Sequence, residues 1–408
     1  MISFIALSRR VYFHSNPAKN YAFQTPRILS IRAVLVMHPI PSKRAPTCYP
    51  RPKMSESSST IFHSSLRRII EHHETLSRTE AASLLAHILD VDDFGSEIRV
   101  AALLGALGAR GETVDELAGF VDTLRARSTP IPLHESVRER LVDTCGTGGD
   151  LSGTFNISTA AALVAAAAGA AVAKHGNRAV TSRCGSADVL EALGIPVDHT
   201  PASAADSITR HGFAFLPAPA LQPVMRAVMP IRRALGIRTT FNILGPMSNP
   251  AGARAQVMGV YAEHLVEIAA HTLARLNTRH AFVVHGCGMD EFAISGPSTV
   301  GEVKDGKVTL RTVVPKDFGL HSGPVEELAG GDAETNAILL RNLFSGEPGP
   351  RRNIVVMNAA AVLVTAGLAQ DFPSGAELAK ATIDAGKVTR LVETLSLPNS
   401  PDPSSTNG

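Results

Sequence analysis

Asp290 and Glu291 follow a glycine-rich turn, Val284-His-Gly-Cys-Gly-Met289, and two adjacent carboxylates there offer hard oxygens to a cation such as Mg2+ bridged to phosphate. Earlier loops carry complementary chemistry. Asp143-Thr-Cys-Gly-Thr-Gly-Gly-Asp150 holds Gly146, Gly148 and Gly149, which let backbone approach a ligand and present N–H groups to anionic oxygens. Asn156-Ile-Ser-Thr159 opens an alanine-rich helix, where Ser158 and Thr159 suit either a plain cap or, with the N-terminal N–H groups, a phosphate. Lys174-His-Gly-Asn-Arg178 brings together a cation, the His175 imidazole and the Asn177 amide, and Gly185-Ser-Ala-Asp188 puts Ser186 at another helix start. Arg232, within Ile231-Arg-Arg-Ala-Leu-Gly-Ile-Arg-Thr-Thr-Phe-Asn-Ile-Leu-Gly-Pro246, could clamp a carboxylate bidentately.

Each segment alone has a plainer explanation: a tight turn, a helix cap, a solvated loop, a surface acid pair, an arginine on a helix face. The glycine loop is neither a Walker A motif nor a GxGxxG fingerprint, which disfavours ATP and NAD. No nucleophile–base pair stands out.

The elements that must position these loops alternate. Leu141-Val-Asp, Ala170–Ala173 and His280-Ala-Phe-Val-Val-His-Gly286 are apolar strand-like runs, each leading into one of the polar loops. This texture implies an α/β domain with a mostly parallel central sheet and surrounding helices, in which ligands sit beyond the carboxyl ends of the strands. Before it, residues 61–127 show helical spacing and few strand signals, and Ser77 with Glu80 resembles a capping box. Ser128-Thr-Pro-Ile-Pro-Leu133 is a proline-marked linker, and Gly375–Leu395 reads as helix. The expected division is a small all-helical domain over 54–127 and an α/β domain over 128–395. A tail over 396–408 is expected to be disordered.

Composition narrows the function. Residues 1–53 hold 9 Lys/Arg and no acid, so the rest carries 30 basic against 37 acidic residues, a net of −7. An acidic body argues against nucleic acid as the main ligand. The basic stretch suits a transit peptide or, as the preferred reading, an upstream segment ahead of a true start at Met54, which puts the protein in the cytoplasm rather than an organelle. The longest small-apolar run, Thr159–Ala173, is too short and alanine-rich to span a bilayer, so no membrane association is expected. Cys48, Cys145, Cys184 and Cys287 form no CxxC pair and read as small residues in a reduced compartment.

Taken together and in order, GTGGD, NxST, KHGNR, CGSADVLEALG, LGIRTxFNxLGPxxNPA and the late Asp-Glu resemble the anthranilate phosphoribosyltransferase family from about Ile61 to Leu395. Asp317-Phe-Gly-Leu and Gly330-Gly-Asp-Ala-Glu-Thr-Asn336 are also similar to it. The resemblance implies transfer of a 5-phosphoribosyl group from phosphoribosyl pyrophosphate (PRPP) to anthranilate, a step of tryptophan synthesis, with Mg2+ as cofactor. It implies that Gly146, Gly148, Gly149, Asp150, Thr154, Asn156, Ser158, Thr159, Lys174 and Ser186 meet PRPP, and that Asp290, Glu291 and Ser158 hold the metal. Gly146, His175, Asn177 and Arg232 would line the anthranilate path, His175 being also the one candidate proton acceptor. The implied fold has residues 222–235 rejoining the helical domain, and the implied assembly is a homodimer. Gln222 departs from the family, in which His often precedes this proline. The rivals are a pyrimidine nucleoside phosphorylase-like enzyme and a catalytically silent nucleic-acid-binding relative.

Overall fold

Apolar residues recurring every three or four positions build the first elements, α1 (Glu56–Glu71), α2 (Arg78–Asp90), α3 (Ser96–Arg110) and α4 (Val114–Ala126). The computed structural model describes residues 56–90, 96–179 and 183–397; the basic segment 1–53 and the tail after Leu397 lie outside the described residues. Ser77 and Glu80 form the expected capping box, the Ser77 N–H donating to Glu80 at 2.8 Å and the Glu80 N–H to Ser77 Oγ at 3.3 Å. A second box, Thr113 with Glu116, starts α4. Glu116 is fully buried, yet it accepts the N–H groups of Leu76 and Thr113, both at 2.9 Å, and pairs with Arg110. One carboxylate thereby ties the α1–α2 link, the end of α3 and the start of α4.

After the single turn α5 (Glu135–Arg138) comes β1 (Leu141–Thr144), followed by α6 (Ile157–Ala167), β2 (Ala171–Gly176), α7 (Ser186–Ala192), α8 (Pro201–His211) and β3 (Phe213–Pro217). The chain continues through α9 (Ala218–Leu221), α10 (Pro223–Leu235), α11 (Phe241–Met247), β4 (Ala255–Gly259), α12 (Leu265–Arg275) and β5 (His280–Gly286). A hairpin, β6 (Ser298–Lys304) and β7 (Lys307–Val313), precedes α13 (Ala333–Phe344), α14 (Pro350–Thr365), α15 (Phe372–Asp384) and α16 (Lys387–Ser396).

The seven strands lie in the order β3-β2-β1-β4-β5-β6-β7, parallel from β3 to β5 and antiparallel beyond. The chain runs outward from β1 to β3, then returns to place β4 on the other side of β1. Loops leaving β1 and β4 diverge there, opening the crevice where such sheets bind ligands.

Two large apolar clusters flank the sheet. One packs the alanine-rich α6 against α14, both buried over nearly their whole length. The other joins α1–α4 and α12 to the sheet and includes Val224, Met225, Val228 and Ile231 of α10, so α10 shares the core of the first helices despite its mid-chain position.

Two features differ from the sequence expectation. The β6–β7 hairpin was not anticipated; its turn, Asp305-Gly306, has φ of +49° and +77°, the left-handed pair that two-residue hairpin turns need. The helical tail is broken in two at Gly386, whose φ of +65° ends the α15 run before α16 begins. No helix among the described residues is long and apolar enough to cross a membrane. Replacing Glu116 with Ala takes the carboxylate from Arg110 and the acceptor from the Leu76 and Thr113 N–H groups, and chemical denaturation should show a loss of about 3 kcal/mol or more.

Candidate functional site

Glycine stands at or just past the ends of three strands because another part of the chain crosses there. A Cβ at Gly146, just after β1, would lie 2.3 Å from Asp290 Oδ2. One at Gly259, closing β4, would lie 1.6 Å from the Asp290 carbonyl, and one at Gly286, closing β5, 2.5 Å from that of Glu291. The Asp290–Glu291 segment is thus laid directly over the ends of β1, β4 and β5, at the switch point of the sheet. Asn358, buried in α14, grips the next residue from behind: its Oδ1 accepts the Phe292 N–H at 3.0 Å and its Nδ2 donates to the Phe292 carbonyl at 3.1 Å.

The electrostatics of the pair are unfavourable as they stand. Burial, then the neighbouring Asp150 charge, pushes the Asp290 carboxyl up to about 7. Burial, then Asp290, raises Glu291 well above the usual carboxylate range, with Lys174 opposing the shift. Backbone donors compensate in part: the Gly148 N–H donates to Asp290 at 2.8 Å, and the Ser158 N–H, in the first turn of α6, donates to Glu291 at 3.0 Å. Asp150 accepts the Asp290 N–H at 3.3 Å and the Ser152 N–H at 3.2 Å. This donor set fits Mg2+, which favours one or two carboxylates completed by phosphate and water. Among the described residues no cluster of three ligating side chains forms a closed metal cage, so oxygens from a ligand would have to complete the coordination.

Lys174 reaches from β2 beneath the glycine loop; its buried Nζ donates to the Thr144 carbonyl at 2.6 Å and to Ser158 Oγ at 3.4 Å. His175 follows it. Its N–H donates to Asp143 Oδ1 at 3.1 Å, and Asn249 donates to Asp143 Oδ2 and to the Ala173 carbonyl, both at 2.8 Å. The His175 ring is buried and neither nitrogen closes a well-formed hydrogen bond. Burial, opposed by the Gly245 backbone, holds it down to about 4, so it is neutral near pH 7.

The loop after β2 is pinched by Asp188, which accepts the N–H groups of Ala179 and Gly185 at 2.9 and 2.8 Å and sets Ser186 at the start of α7. Asn177 stands at the entrance of this loop, its side chain accepting the Arg178 N–H at 2.8 Å. Thr154 pairs with Ala329 in an isolated bridge, and the Thr159 hydroxyl is buried in α6 without a partner among the described residues. The Asn156 side chain is turned inward, donating to the Cys184 carbonyl at 3.2 Å and accepting from Asn336 at 2.9 Å.

The structure therefore gathers Gly146, Gly148, Gly149, Asp150, Asn156, Ser158, Lys174, Asp290 and Glu291 into one connected group of loops. Among the described residues no hydrogen bond or ion pair ties Arg232 to it. On α10 it donates to Met229 Sδ at 3.8 Å, and among the described residues no carboxylate pairs with it. Burial lowers its pKa, as expected for a guanidinium lacking an anion.

Sequence reasoning missed Asp143, Asn249, Arg238 and Asn358. Arg238 donates to the Gly149 carbonyl at 2.6 Å and stacks over the Tyr261 ring at 4.1 Å, holding the glycine loop from outside. The usable signal was Asp143, a carboxylate inside an otherwise apolar strand. Two other recesses, of about 490 and 880 Å³, lie away from these loops. His280, Glu302 and Arg311 in the first pair with one another at 3.0 and 3.1 Å.

A helical bundle feeding an α/β domain of this kind is the architecture of a glycosyl transferase family. Its helical bundle domain matches residues 63–128 and its α/β domain residues 138–389. An anthranilate phosphoribosyltransferase from Symbiobacterium thermophilum is 49% identical over 80% of this chain and 95% of its own length. A crystal structure of anthranilate phosphoribosyltransferase from Thermus thermophilus superposes with a TM-score of 0.76 at 40% identity, covering 81% of this chain and 98% of that one. The Saccharomyces cerevisiae enzyme, solved in complex with PRPP and Mg, gives a TM-score of 0.73 at 27% identity over 84% and 97%. The chain belongs to the anthranilate phosphoribosyltransferase family.

Asp143 gives a pH prediction. Burial raises its carboxyl to about 6, so the folded chain keeps a proton that the unfolded chain has already released. Stability should fall by about 3 kcal/mol as pH rises from about 4 to about 6. Asp143→Asn should flatten that part of the profile in pH-dependent denaturation.

Proposed function

We propose that this protein transfers the 5-phosphoribosyl group of PRPP to the amine of anthranilate, releasing pyrophosphate, with Mg2+ as cofactor. The observation that carries this reading is the Asp290–Glu291 pair, forced together at the switch point with too little positive charge nearby and facing a glycine loop that bears exposed backbone. Membership of the family and the PRPP and Mg in the yeast relative support it.

In this reading Asp290 and Glu291, with Ser158 Oγ, would hold Mg2+, whose charge would offset that of the departing pyrophosphate. Gly146, Gly148, Gly149 and Asp150 line the pyrophosphate. Thr154, Asn156, Thr159, Lys174 and Ser186 complete the PRPP pocket, Lys174 supplying fixed positive charge beneath it. The bond from the ribose C1 to pyrophosphate oxygen breaks and a bond to the aromatic nitrogen forms, after which the nitrogen loses a proton. The neutral His175 ring, with unpaired nitrogens, is suited to accept it. Gly146, His175 and Asn177 line the anthranilate path, and Arg232 takes the carboxylate. A neutral amine needs positioning more than strong base catalysis.

For Arg232 to reach that carboxylate, residues 54–127 with 222–235 would close as one unit against 128–395; the core that α10 shares with α1–α4 supports this grouping. Ile61, Ile70 and Ile98 are exposed on α1 and α3 and support a homodimer formed through the helices. Cys145 and Cys287 are free thiols, which supports a reducing compartment such as the cytoplasm.

Anthranilate fluorescence should disappear only when protein, PRPP and Mg2+ are all present; no loss with folded protein would overturn the reading. In the same assay Arg232→Ala should raise the anthranilate KM about tenfold or more, as loss of a charge-assisted bond predicts. The PRPP KM should hardly move.

A further inference from the structure

The stretch Gly330-Gly-Asp-Ala-Glu-Thr-Asn336 has no part in the function proposed above, yet it is built against the site. The Gly330 N–H donates to the Gly153 carbonyl at 2.9 Å, the Phe155 N–H donates to the Leu328 carbonyl at 3.0 Å, and Thr154 bridges Ala329 between them. A Cβ at Gly330 would lie 2.7 Å from the Phe155 nitrogen, so only glycine allows this close approach. Asp332 then caps α13 through the Thr335 N–H at 2.9 Å, which fixes the first turn. That turn carries Asn336, an amide only 2% exposed.

Both ends of the amide are committed. Asn336 Oδ1 accepts the Gly331 N–H at 2.8 Å, and Nδ2 donates to Asn156 Oδ1 at 2.9 Å. Asn156 in turn donates to the Cys184 carbonyl at 3.2 Å, and the Cys184 thiol returns to Asn156 Oδ1 at 3.3 Å. Three segments remote in sequence, 153–156, 184–186 and 330–336, thus converge on one amide. Asn156 immediately precedes α6 and Cys184 lies two residues before the first residue of α7.

We propose that Asn336 is a positioning residue for the phosphoribosyl donor, acting through Asn156 to set the spacing between the α6 start, with Ser158, and the α7 start, with Ser186. The proposal rests on the PRPP reading above. In that reading the donor meets Ser158 and Ser186 together, and this chain of amides links the segments that carry them. The amide orientation is dictated: Asn336 must accept from Gly331, so its nitrogen faces Asn156, whose own nitrogen is then left for Cys184.

Asn336→Asp tests this with almost no change of shape. The aspartate keeps the acceptor for Gly331 but turns an acceptor toward Asn156 Oδ1. Asn156 can answer only by turning its amide, which removes the donor from the Cys184 carbonyl. Steady-state kinetics on the full chain should show the PRPP KM raised about tenfold, the worth of one or two buried hydrogen bonds. The anthranilate KM should stay within about twofold, and the rise in Tm produced by Mg2+ and PRPP should shrink correspondingly. Asn336→Ser, which is too short to reach Asn156, should give the same split. An unchanged PRPP KM in either folded variant overturns the proposal. So does a parallel loss for both substrates, or failure of both variants to fold, since either assigns Asn336 to stability alone. Wild-type protein with no PRPP-dependent turnover would instead sink the underlying enzymatic reading, and the proposal with it.

Discussion

Two carboxylates on consecutive residues, only partly exposed to water and close to a third, repel one another with too little positive charge nearby to balance them. That constraint organises the rest of the molecule. Asp290 and Glu291 stay in place because their backbone is threaded over three strand ends and gripped at Phe292 by Asn358, leaving the side chains little freedom to turn away. The glycines at 146, 259 and 286 are the other half of this arrangement, since any side chain there would lift the acid pair off the sheet. The helix start of α6 and the glycine loop lend partial positive charge, enough to hold the geometry and too little to neutralise it.

A second buried polar layer lies beneath the first. Asp143 sits inside β1 and fixes β2 through the His175 N–H while Asn249 fixes Asp143, so the strand segment that carries Lys174 and His175 is held in place. Burying Asp143 costs stability near neutral pH, and the orphaned nitrogens of His175 add to that cost. Strain of this kind is expected where a site must keep groups ready for a ligand. Apolar packing offsets it: the sheet is covered by clusters in which α6 and α14 are buried almost throughout.

Much of this was legible in the chain before any coordinates. β1, β2 and β5 fall where apolar runs lead into polar loops, and the alternation implied the mostly parallel sheet that is observed. The nearness of Asp290 to the glycine loop was legible only through the order of family motifs, since nothing local to residues 143–150 points to residue 290. The β6–β7 hairpin was signalled by Asp305-Gly306 between β-branched residues but was overlooked. Gly386 likewise marked a break inside what looked like one continuous helix. The grip of Asn358 on Phe292 had no sequence signature, because a buried amide is chosen by the backbone groups that tertiary structure brings to it. Arg232 shows the opposite limit: its type and context suggested a carboxylate clamp, while its place relative to the other loops depends on how α10 packs.

The central claim is that the acid pair exists to hold Mg2+ together with PRPP. It is tested most directly by calorimetric titration of PRPP into the folded protein, once with Mg2+ and once with the metal removed by chelator. The account predicts clear binding with Mg2+ and binding weakened by at least about tenfold without it, because the uncompensated carboxylates then face the pyrophosphate. Equal affinity in the two titrations would contradict it.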